Sequence, residues 1–170
     1  MKGEAELVVH QRTDAYAIAT YGPVLLQLWH LSAPLDGAQA ARRVASELAK
    51  AGFEKTGSLV VVPEQSAIPE NAARDELRHV PMELTNGAGL VMVQEGVGFK
   101  ASAVRAVLAT IMLLSRQSIP HDVVPNVIAG SGWLAKRLKV PGGTRGLIAA
   151  VAELRSLYDP PGSALRASGS

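Results

Sequence analysis

Apolar residues come in short blocks near the amino end of the chain and switch to a helical period after residue 35. Glu6 to His10 reads as a short strand, Thr13-Asp14 as a turn and Tyr16 to Tyr21 as a second strand. Gly22-Pro23 then punctuates, and Val24 to Leu31 reads as a third strand with Trp29 among aliphatics. Three strands joined so closely predict an antiparallel meander. From Leu35 onward, Ala41, Val44, Ala45 and Leu48 recur at helical spacing, with Arg42, Arg43, Glu47 and Lys50 on the other side. Asp36 stands where a helix cap is expected, Gln39 follows three residues on as in a capping box, and Gly52 supplies the stop.

Ser58 to Val62 is a compact β-branched run, the pattern of a strand covered on both faces. Pro69 opens a polar helix to about His79, which Pro81 is expected to end, and Leu90 to Gln94 is another buried strand. Gly96-Val97-Gly98 leads into a long helix from about Phe99 to Gln117, and Ile119 to Val127 supplies a last strand. Trp133, Leu134 and Leu138 mark a short helix with Trp133 as its hydrophobic anchor. Thr144 is placed to cap a final amphipathic helix bearing Leu147, Ile148, Val151, Leu154 and Tyr158. A strand meander followed by α–β units predicts an α/β fold: a mixed sheet flanked by helices, with the later strands parallel because crossovers are right-handed. Residues 1–140 form the domain, 141–158 an added helix packed on it or on a partner, and 159–170 a disordered tail.

Composition narrows the function classes. A chain of 170 residues with 48% hydrophobic and 19% charged residues suits one soluble domain. Lysine and arginine number 17 against 15 acids, so no general basic field exists of the kind nucleic-acid binders use, and no nucleic-acid partner is expected. Without cysteine, thiol catalysis, disulfides and zinc fingers are excluded. Acids near the start stand where a secretory signal needs an apolar run, and the longest apolar stretch, Ala101 to Leu114, is interrupted and too short to span a bilayer. A cytoplasmic protein without a transmembrane segment is expected.

The element order, with Gly22-Pro23-Val24-Leu25-Leu26, the Asp36 helix, the Leu59-to-Val62 strand and Gly132-Trp133-Leu134, resembles the STAS family, the sulfate-transporter and anti-sigma-factor-antagonist domains, over roughly Glu6 to Leu138. The resemblance implies a mixed sheet flanked by helices and a non-enzymatic signalling module of bacterial type, regulatory or scaffolding, that binds a protein and sometimes a nucleotide or lipid. Family members carry an aspartate followed by a phosphorylatable serine or threonine after the strand that here is Leu59 to Val62. This chain has Pro63-Glu64-Gln65-Ser66, which keeps a serine and lacks the aspartate. The helix from Thr144 to Tyr158 lies outside the family pattern.

Two stretches are candidate contact surfaces. Glu95-Gly96-Val97-Gly98-Phe99-Lys100-Ala101-Ser102 sets two glycines after a strand and a lysine and serine in a helix's first turn, where free amides attract anions; Lys100, Ser102 and Arg105 would assist. It matches neither the P-loop nor the dinucleotide fingerprint, so a plain turn is the competing account. The loop after Val62, with Ser66 and Arg74, is the other. Ser66 with Glu64, Arg74 and His79 is not read as a catalytic set, because no nucleophile elbow surrounds the serine. His10, His30, His79 and His121 are widely separated and imply no metal, and no cofactor is expected. Val104, Val107, Leu108, Ile111, Met112 and Leu114 form an apolar belt, buried under the last helix or shared in a homodimer. Lys136, Arg137, Lys139 and Arg145 form a basic cluster whose ordinary explanation is a solvated helix end.

Overall fold

The computed structural model describes residues 5–98 and 119–159, together with Ser102, Ala103, Arg105, Ala106 and Ala109 between them, which are helical. The rest of the expected helix from Phe99 to Gln117, with its apolar belt, and the tail from 160 to 170 lie outside the described residues. Six strands lie in one sheet in chain order: β1 (Leu7–Arg12), β2 (Ala17–Tyr21), β3 (Val24–Leu28), β4 (Thr56–Val62), β5 (Gly87–Gln94) and β6 (His121–Val124). β1 to β3 are an antiparallel meander, and β3 to β6 run parallel. The protein is therefore of the α/β class, with a mixed sheet.

Alternation along the strands builds two cores. Leu25, Trp29, Val60 and Leu90 point to the face covered by α1 (Leu35–Ala49), with α2 (Asn71–Leu77) and α3 (Val80–Glu83) beside it. Leu26, Leu28, Leu59, Val61, Val91 and Val93 point to the opposite face, covered by α4 (Val127–Ala135) and α5 (Gly143–Arg155). Because β3 and β4 are buried on both sides, they read in the sequence as mainly aliphatic runs without in–out alternation, even with Gln27 in the first and Thr56 and Ser58 in the second. Leu147, Val151 and Leu154 of α5 are buried in the second core, so this helix packs on its own sheet.

α4 lies close on the sheet because the facing positions lack side chains. A Cβ on Gly130 would stand 2.7 Å from Val93 Cγ2, and one on Gly89 of β5 would stand 2.8 Å from Trp133 Cζ3. Trp133 is half-buried over that glycine, at the margin of the second core.

Several helix ends differ from the sequence expectation. α1 starts behind Pro34, and Asp36 lies inside the first turn with no capping bond; its Oδ2 instead accepts from the Tyr16 hydroxyl at 2.8 Å, tying the helix to the approach to β2. Pro81 does not end the polar helix. α2 stops at Leu77, and Pro81 sits in the first turn of α3, where a missing amide breaks no helical bond. α5 begins behind Gly142 at a φ of 70°, so Thr144 is inside the helix and caps nothing. The last strand ends at Val124 rather than Val127, because Asn126 caps α4: its Oδ1 accepts from the Ala129 amide at 2.8 Å.

Candidate functional site

In open parallel sheets, ligands and partners collect where the carboxyl ends of the strands stop. Here β3, β4 and β5 end side by side and release three loops: Trp29 onward, Pro63 onward and Glu95 onward. Backbone bonds hold the loops together. The Ala67 amide donates to Leu31 O at 2.8 Å, the Glu95 amide to Val62 O at 3.0 Å, and the Ser66 amide closes a turn on Pro63 O at 3.0 Å. A cleft of about 290 Å³ opens between them, lined by His30, Glu64, Glu95, Gly96, Arg155 and Tyr158 among others.

The end of α5 is strapped across this edge. Arg155 makes an ion pair with Glu95. The Tyr158 ring stacks on His30 with centroids 4.3 Å apart, and its hydroxyl donates to Thr13 O at 2.9 Å. Arg12 donates to Leu157 O at 2.6 Å and lies 5.4 Å from the Tyr158 ring. Burial raises the Tyr158 phenol above its usual value, against the opposing pull of Arg12.

The expected site residues are only partly brought together. Gly96 (φ 110°) and Gly98 (φ 95°) turn the chain after β5, and Glu64 lies across the first, since a Cβ there would meet Glu64 Cγ at 2.9 Å. Ser102 is exposed, with its amide bonded to Gly98 O at 3.2 Å, and Arg105 is half-buried. Lys100 lies outside the described residues. Ser66 is 5% exposed, its hydroxyl has no partner among the described residues, and it lies in the loop ahead of the Glu70 cap of α2. Arg74 is bonded to Asn71 within α2, and His79 Nδ1 lies 2.7 Å from Asp75 O. Among the described residues Arg74 and His79 thus have separate partners, the Ser66 hydroxyl has none, and no hydrogen bond links the three to one another or to Glu64. Among the described residues no three His, Asp or Glu side chains are grouped to hold a metal, and no helix is long and apolar enough to cross a membrane.

No protein-family model, no curated protein and no solved structure matches this chain. The site is defined by its own geometry.

Three features escape a reading of the sequence. Glu95 and Arg155 meet across 60 residues, and nothing local to either marks the pairing. The His30–Tyr158 stack joins the end of β3 to the end of the last helix; strand alternation puts Trp29 in the core and His30 outside it, and says nothing of its partner. Each of the three loops also exposes one large aliphatic side chain: Leu31 at 47%, Ile68 at 51% and Val97 at 87%. Their spacing along the chain has no period.

Proposed function

We propose that the protein is a non-enzymatic regulatory or scaffold module that docks a protein partner on the loops at the carboxyl edge of its sheet. The observation that carries this reading is the set of three exposed aliphatics, one on each adjacent loop, on a base fixed by backbone bonds. The charged groups beside them support it. Glu95 is neutralised by Arg155 and His30 is covered by Tyr158, so the edge offers apolar surface rather than a poised acid and base. The STAS resemblance points to the same class of function. The alternative, a phosphate, nucleotide or lipid headgroup at the Gly96 turn, is less well supported, because Glu64 and Asp159 line the neighbouring cleft and repel an anion, while Arg155 there is paired with Glu95.

The test is a pulldown from a cell extract with the wild type and with Ile68→Asp/Val97→Asp, both at exposed positions where the change leaves the fold intact. A partner retained by the wild type and lost from the double variant supports the reading. Retention unaffected by both aspartates, or turnover that one side chain abolishes, overturns it.

A further inference from the structure

The amino ends of the same strands carry a second surface of different chemistry. The approach to β4, Phe53-Glu54-Lys55, faces the end of α4, Ala135 to Lys139, across a groove of about 530 Å³ closed by Pro23. Lys136, Arg137 and Lys139 lie within four residues of sequence, and the fold adds Lys55 and Phe53 to them; Arg145 does not line the groove. Lys55, Lys136 and Lys139 are exposed and have no hydrogen-bond or ion-pair partner among the described residues, and Glu54 is the one acid in the wall. Phe53 is 40% exposed.

Both walls are held in place. Arg137 lies flat on Trp133, with Cζ 3.6 Å from the ring centroid, and donates to Trp133 O at 2.7 Å; Trp133 in turn rests on Gly89. On the other side, Asn86 Nδ2 donates to Phe53 O at 2.8 Å, and Asn86 Oδ1 accepts from the Thr56 hydroxyl at 2.9 Å. Arg137 and the main chain at Phe53 are thus fixed beside Leu138, while Lys55, Lys136 and Lys139 extend from the same walls as exposed cations.

We propose that this groove binds an acidic peptide segment of a protein partner, whose carboxylates pair with Lys55, Lys136, Arg137 and Lys139 while an apolar side chain packs on Phe53. Charge complementarity selects the class. Cations interleaved with Phe53, Pro23 and Leu138 fit alternating acidic and apolar residues. The chain's formal charge of +2 and the short, walled shape of the groove disfavour a nucleic-acid backbone, which needs an extended basic track. The inference does not rest on the carboxyl-edge reading, since the groove lies at the other end of the sheet.

The experiment measures fluorescence anisotropy of a short labelled peptide of glutamates interrupted by one phenylalanine, at low and at moderate salt. Lys136→Glu/Lys139→Glu is expected to weaken binding by about tenfold or more, and salt to weaken it in the wild type. Arg43→Glu/Arg78→Glu, an equal change of charge on the α1 and α2 side, is expected to leave it unchanged. A single-stranded oligonucleotide and vesicles containing phosphatidylserine are the competing probes. No peptide binding, equal loss in both charge-reversed variants, or tighter binding of the oligonucleotide or the vesicles overturns the proposal. Circular dichroism confirms that each variant is folded.

Discussion

Two glycines two residues apart in α4 should respond in opposite ways to the same substitution. Gly→Ala inside a helix gains about 1 kcal/mol from reduced backbone freedom. At Gly132 nothing opposes this, because the nearest atom to a new Cβ is Thr144 Cγ2 at 4.0 Å. At Gly130 the new Cβ stands 2.7 Å from Val93 Cγ2, well inside the roughly 3.5–4 Å at which carbons attract. Val93 cannot yield. It is fully buried, β-branched and so stiff at χ1, and its strand is paired on both sides. Overpacking of this kind costs about 1–3 kcal/mol, which exceeds the helix gain.

Gly132→Ala is therefore expected to stabilise by about 0.5–1 kcal/mol and Gly130→Ala to destabilise by about 1 kcal/mol. Val93→Ala should cost less in the Gly130→Ala background than in the wild type, a coupling on the order of 1 kcal/mol. Urea unfolding followed by far-UV circular dichroism reads all three differences. If Gly130→Ala stabilises as much as Gly132→Ala, α4 does not lie this close to β5, and the account of how Trp133 and Arg137 are positioned fails with it.

Ser66→Ala should leave stability unchanged or raise it by up to about 1 kcal/mol, because it removes a buried hydroxyl with no partner among the described residues, whereas Ser66→Asp should cost about 3 kcal/mol for burying a charge. A Ser66→Asp protein as stable as the wild type in urea would put that side chain at the surface. Burial is the first cause of the raised Tyr16 and Tyr158 phenols, so the unfolded chain loses these protons first, near pH 10, and stability falls as pH rises from there through the folded values. Thermal melts between pH 8 and 11 should show this decline, shallower in Tyr16→Phe/Tyr158→Phe; a rising melting temperature would contradict it. The Glu95–Arg155 pair has both side chains about a third exposed, so a double-mutant cycle with Glu95→Gln and Arg155→Met should give a coupling below about 1 kcal/mol that shrinks in high salt.

The fold was legible where the signal is local. Alternation and turn residues place β1 to β3, and helical spacing marks Ala41, Val44, Ala45 and Leu48, all of which are buried. Helix ends were less legible, because several polar residues near one boundary compete for the cap. Asn126 takes the Ala129 amide of α4, while Asp36 and Thr144, equally suited by type, lie two positions past the caps of their helices. The candidate surfaces were legible only as fragments. The glycines after β5 and the run from Lys136 to Lys139 stand out along the chain, but Arg155 over Glu95, Tyr158 on His30 and Lys55 opposite Lys136 depend on where distant elements dock.

Docking also decides how the two surfaces relate. β4 runs from one to the other, and its seven residues at about 3.3 Å each separate them by roughly 20 Å, more than two Debye lengths at physiological salt. Exposed charge at the basic groove is therefore screened before it reaches Leu31, Ile68 and Val97, and aspartates placed on those loops do not alter the field at Lys136 and Lys139. The strand between is buried on both faces and paired on both sides, so it transmits no slack from one end to the other. Occupants of the two ends should bind independently, which makes the carboxyl-edge variants and the lysine reversals separate tests of separate claims.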